Sequence, residues 1–144
     1  VSETISNSTR TTSRVFVVNE PVRVDPMTGA EGRVIDLSPA LEYGDLHHLL
    51  VPGKLPSDLR GTIAALDRGL ETYGDDDYLL LVGDPVAIGI ATAMAALANE
   101  GRVRVLRWHP RVRRYEVTEL VLPGYELDED GPDEPERLRE GDEG

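Results

Sequence analysis

Apolar positions along this chain form two kinds of run, compact blocks and spaced stripes, and the alternation between them predicts strands and helices. Arg14-Val-Phe-Val-Val-Asn19 is a compact β-branched and aromatic block, the pattern of a first strand. Asp45-Leu-His-His-Leu-Leu-Val51 predicts a second, stopped by Pro52-Gly53. Leu59, Ile63, Leu66 and Leu70 then recur at helical spacing, while Arg60, Asp67, Arg68 and Glu71 fall mostly off that stripe. This predicts a helix capped by Ser57 or Asp58 and ended at Gly74. Tyr78-Leu-Leu-Leu-Val82 does not alternate, as expected of a central parallel strand covered on both faces. From Pro85 to Asn99 the sequence predicts a second helix, whose Gly89, Ala91, Ala93, Ala95, Ala96 and Ala98 permit close packing on a sheet. Arg102–Trp108 and Arg114–Leu122 predict an antiparallel hairpin at the sheet edge, turning through His109-Pro-Arg-Val-Arg113.

Between the first two strands the pattern is weak. Residues 20–37 read as irregular, with turn chemistry at Asp25-Pro-Met-Thr-Gly29. Ser38-Pro-Ala-Leu-Glu42 has the form of a short helix with Ser as cap and Pro at its first position, limited by Gly44. The order β-β-α-β-α-β-β predicts an α/β fold: a small Rossmann-like sandwich with right-handed crossovers and a mixed sheet closed by the C-terminal antiparallel hairpin.

Composition sharpens the boundaries. The 144 residues suffice for one domain with a modest core. Of the net charge of −12, residues 124–144 carry −8, as ten acids against Arg137 and Arg139. We therefore expect a flexible polar leader over residues 1–13, a single α/β domain over 14–122 and a disordered acidic tail over 123–144. Cysteine is absent, which removes disulfides and thiolate chemistry and fits a reducing cytoplasm. No apolar run reaches the roughly 18–20 residues of a membrane span, and no secretory signal pattern opens the sequence, so no membrane partner is expected.

Candidate chemistry sits in two places. Gly83-Asp84-Pro85 joins a strand to a helix start, and Asn19-Glu20 follows the first strand. If those strands are neighbours, Asn19, Glu20, Gly83 and Asp84 share the crevice where open α/β sheets bind ligands. Two carboxylates there suit acid–base work or a divalent metal, yet Asp before Pro is also an ordinary helix cap. No Gly-x-Gly-x-x-Gly or Walker sequence is present. The second place is the hairpin, where Arg107, Trp108, Arg111, Arg113 and Arg114 combine positive charge with an aromatic ring suited to nucleic-acid phosphates and bases. The plainer account is an edge guarded by charge against aggregation. His47 and His48 are adjacent on a strand, point to opposite faces and cannot chelate one metal together. With three His and no Cys, neither a zinc site nor any other cofactor is expected. Asp75-Asp76-Asp77 lacks EF-hand spacing and reads as a solvated loop.

Val15-Phe-Val-Val-Asn-Glu-Pro21, Asp36-Leu-Ser-Pro-Ala40, Tyr43-Gly44, Asp76-Asp-Tyr-Leu79, Val82-Gly-Asp-Pro85 and Arg104-Val-Leu-Arg-Trp108 together resemble a group of short uncharacterised α/β proteins encoded by tailed bacteriophages, over residues 14–122. That resemblance implies a setting, the cytoplasm of an infected bacterium, and no activity or catalytic residue. The expected function is that of a non-enzymatic phage accessory protein that binds a host or phage macromolecule. The alternatives are a nucleotide- or anion-binding domain, of which a small phosphoester hydrolase is one form, and nucleic-acid binding through the hairpin. A homo-oligomer paired through an edge strand is also open.

Overall fold

Two short parallel strands at the middle of a five-stranded sheet organise the molecule. The structure is a computed structural model and describes residues 12–55 and 58–126. Most of the expected leader and acidic tail lies outside those residues.

The elements are β1 (Arg14–Val17), β2 (Val22–Val24), β3 (Glu31–Arg33), a 3-10 turn (Ser38–Glu42), β4 (Asp45–His48), α1 (Leu59–Leu70), β5 (Tyr78–Leu80), α2 (Pro85–Ala98), β6 (Arg102–His109), β7 (Arg114–Val121) and a terminal helical turn, α3 (Pro123–Glu126). The main sheet has the order β4-β1-β5-β6-β7. β4, β1, β5 and β6 run parallel, and β7 is antiparallel to β6 at the edge. This is the mixed α/β sheet with a terminal antiparallel hairpin that the pattern predicts.

Strand alternation splits the core in two. Phe16, Val18 and Leu79 face α1 and α2, packing with Leu66, Leu70, Ala87, Ala91 and Ala95. Val15, Val17, Leu80 and Leu106 face the other way, against Leu37 and Ala40 of the segment around the 3-10 turn. Leu79 and Leu80 are both fully buried, as a strand covered on both sides must be. Both long helices lie on one face and only a thin irregular layer covers the other.

Several local readings change. Residues 22–33 form a small separate hairpin, β2–β3, around the predicted turn at Asp25–Gly29. Its strands are three residues each and none of their residues is buried, so no apolar period marks them. On α1 the inward residues are Thr62, Leu66 and Leu70, while Leu59 and Ile63 are exposed. Asp58 caps that helix by accepting the Gly61 N–H at 2.7 Å, and its C-cap is Glu71 rather than Gly74. Leu37, not Ser38, flanks the 3-10 turn, and Asp36 takes the Ser38 N–H at 3.0 Å.

Asp77 also departs from the solvated-loop expectation. It is 5% exposed and sits at the amino ends of β1 and β5. Its carboxylate accepts Arg14 Nε and a terminal Arg14 nitrogen at 3.2 and 2.8 Å, the Arg14 N–H at 3.2 Å and the Gly74 N–H at 2.9 Å. A buried carboxylate is tolerated when paired and hydrogen-bonded in this way.

Candidate functional site

β1 and β5 are neighbours whose onward chains leave on opposite faces of the sheet. After β5 the chain enters α2 on the helical face; after β1 it passes through β2–β3 to the 3-10 turn on the other. That is a topological switch point, where open α/β sheets place their ligands. Asn19 meets Gly83 and Asp84 there, whereas the Glu20 side chain does not.

Their polar groups are already engaged. Asn19 is 8% exposed; its N–H donates to the Val82 carbonyl at 3.1 Å, and its side chain makes long contacts of 3.4 Å with the Asp84 N–H and the Lys54 carbonyl. Asp84 accepts the Val86 and Ala87 N–H groups at 3.0 and 3.1 Å, the N-cap of α2. Gly83 has φ of +110°, and a Cβ there would overlap the Asn19 carbonyl oxygen. Asn19 therefore fills the crevice and ties its two lips together.

Glu20 turns away from Asp84. It is 2% exposed, and its Oε1 lies 2.7 Å from His48 Nε2. Its Oε2 is 3.0 Å from Arg33 Nε, too poorly aligned for a hydrogen bond. His48 faces Glu20 while His47 packs on Phe16 across the sheet, which is the opposed orientation expected of strand neighbours. The Glu20–His48–Arg33 cluster borders a shallow cleft of about 230 Å³ with Glu31 and Pro52.

The larger cavity opens where β5 and β6 end, on the face away from the helices. Its volume is about 690 Å³. Ile35 and Pro39 form one side, Leu81 and Val82 the floor, and Trp108 and Tyr115 the far wall. Trp108 and Tyr115 are cross-strand partners of β6 and β7, with centroids 4.9 Å apart at 66°. Tyr115 is buried whereas Trp108 stays 39% exposed, so part of the indole is available.

Two charges break this apolar lining, Asp36 and Arg113. Hydrogen bonding by the Ser38 side chain and backbone holds the Asp36 carboxyl below its ordinary pKa, so it is ionised at neutral pH. Burial raises the Tyr115 phenol, and the negative charges of Asp36 and Glu20 add to the rise. Arg113 occupies a left-handed backbone conformation, φ +58°, in the hairpin turn. Glycine or asparagine suits that position better than arginine.

The hairpin cations divide. Arg107 is 4.0 Å from Glu116 across the ladder, and Arg114 is 4.0 Å from Glu42. Arg104 stacks on Tyr78, its guanidinium carbon 4.1 Å from the ring centre. Arg111 and Arg113 are exposed and make no ion pair with a described residue. Strand β7 thus returns acids to a stretch that is purely basic in sequence, and leaves Arg111 and Arg113 of the turn without an ion pair among the described residues.

Sequence reasoning identified Trp108 and Arg113 but missed Ile35, Asp36, Leu81 and Val82 as their cavity partners. Asp36 stands in an Asx-turn sequence before Ser38-Pro39, a detectable signal for a fixed carboxylate. Nothing local announces that it meets the hairpin.

Among the described residues no group of three or more His, Asp or Glu is placed to hold a metal ion, and no helix is long and apolar enough to cross a membrane. No curated protein and no solved structure matches the chain. Residues 13–122 match the family described as Phage Pam3 gp32-like protein, which agrees with the phage resemblance of the sequence blocks, and the chain belongs to that family.

Proposed function

We propose that this phage-family protein acts by binding, without catalysis, and that its recognition site is the cavity between residues 34–39 and the β6–β7 hairpin. One observation carries the reading: an apolar cavity of about 690 Å³ at the carboxyl edge of the sheet, with an accessible tryptophan and only two charged side chains. Ligand sites are commonly concave and largely apolar, of roughly 300–1,000 Å³, with a few placed polar groups. The carboxyl edge beside a switch point is where an α/β sheet offers such space. The Asn19–Gly83–Asp84 crevice is the weaker candidate, because its donors and acceptors satisfy one another.

The binding partner is a host or phage component inside the infected cell, engaged directly in the cavity and, where it is larger, along the hairpin turn. The test is to fill the cavity. Val82→Trp places bulk on its floor without touching Asp36 or Arg113. Immobilised wild-type protein should retain a ligand from infected-cell extract that Val82→Trp protein, shown to be folded by circular dichroism, does not. Equal retention by both proteins would reject the cavity as the site.

A further inference from the structure

We infer that the cavity recognises a nucleotide, with the base against Trp108 and the phosphate on Arg113. The inference rests on the reading of this cavity as the binding site and specifies the chemistry it accepts.

Trp108 offers an indole that is partly exposed and braced edge-on by Tyr115 at 4.9 Å. A braced, half-open ring suits a flat ring partner, because stacking uses its face and little side-chain entropy is lost. Asp36, ionised and fixed by Ser38, accepts hydrogen bonds from the amino and ring N–H groups that bases carry at their edges. A plain hydrocarbon ring would make no use of that exposed carboxylate.

At the hairpin turn stands Arg113, a guanidinium without a counterion among the described residues. Its five donors match a phosphate. Arg111, also without an ion pair among the described residues, is two residues away and exposed. A flat ring with edge donors and an attached dianion meets the three groups at once. A free nucleotide and the end of a single-stranded nucleic acid both have this chemistry. The backbone of Arg113 supports the assignment, since non-glycine residues held at positive φ concentrate at functional sites.

The chain has a single tryptophan, so its fluorescence reports on this cavity directly. Full-length protein would be titrated with adenosine and cytidine 5′-monophosphates, the matching nucleosides, ribose 5-phosphate, indole and a short single-stranded DNA. Saturable quenching by a monophosphate, with its nucleoside about tenfold weaker or more, is the expected result, given the strength of a charge-assisted hydrogen bond. In Arg113→Asn, which keeps a residue tolerant of the turn, monophosphate and nucleoside should bind alike; Arg113→Lys should restore part of the gap. Tighter binding of the DNA, weakened by Arg111→Ala and by salt, would identify a nucleic-acid end as the source. Binding no tighter than the mononucleotide would identify the free nucleotide. Quenching by indole with no preference for phosphate would overturn the ligand class while leaving the cavity as a binding site. Silence with every compound, together with equal retention by Val82→Trp protein, would overturn both.

Discussion

The two ends of the sheet are built on opposite principles. At the amino end, Asp77 gathers Arg14 and two backbone amides, and the Tyr73 hydroxyl donates to the Asp77 carbonyl at 3.2 Å and accepts the Arg104 N–H at 3.1 Å. Asp77 and Tyr73 spend their polar atoms on neighbours, while Arg104 Nε is buried with no acceptor among the described residues. At the carboxyl end an arginine sits at positive φ with no counterion among the described residues, an indole is half open, and a cavity of about 690 Å³ opens beside them. The contrast teaches that charge alone does not mark a candidate site: the amino end also has a buried carboxylate, but Asp77 is paired with Arg14.

Substitutions at Asp77 and Tyr73 of the amino end, and at the closed Asn19–Gly83 crevice, should cost stability and leave binding alone; at Arg113 the reverse should hold. The largest loss is expected from Asp77→Ala, which strands Arg14 and the Gly74 N–H. Breaking a buried ion pair costs about 3–5 kcal/mol, and the partial exposure of Arg14 places this one at the lower end. Urea unfolding followed by circular dichroism measures it. Gly83→Ala comes next, at about 2 kcal/mol, from a Cβ driven into the Asn19 carbonyl at a backbone angle that alanine resists. A loss below about 0.5 kcal/mol would show that the lips of the crevice part freely.

Tyr73→Phe should cost about 1–2 kcal/mol by leaving the Arg104 N–H without its acceptor. It also carries a pH signature. Burial pushes the Tyr73 phenol up to about 12 from 10.0. The folded protein therefore holds this proton more tightly than the unfolded chain does. The resulting stability is complete below pH 10 and is lost as pH rises towards 12. Wild-type stability should fall across that window more steeply than that of Tyr73→Phe; parallel curves would reject the assignment.

The smallest effect has the opposite sign. Arg113→Gly should leave stability unchanged or raise it by up to about 1 kcal/mol, by removing the left-handed strain. It should at the same time weaken ligand binding. A clear loss of stability would mean that Arg113 braces the turn, and the contrast between the two ends would then fail at its sharpest point.

The parallel core was legible in the sequence because its signals are local. The unbroken run Tyr78–Val82 marks a central strand, and Asp84-Pro85 marks a helix start, whose cap hydrogen bonds appear as expected. The β2–β3 hairpin was not legible, since strands of three unburied residues have no period to read. The cavity was half legible. Trp108 and Arg113 stood out by type, but Ile35 and Asp36 reach them only through strand order and the path of an irregular segment. Likewise Glu20 and His48 are 28 positions apart, and their contact depends on β4 lying beside β1. Such pairings are long-range choices that no local pattern encodes.

Trp108, Arg113 and Tyr115 all fall within eight consecutive positions that form the tip of a single ribbon. Strands β1, β4 and β5 and both long helices lie elsewhere in the chain. Insertions, deletions or replacements at that tip can reshape what the cavity accepts while the scaffold folds as before.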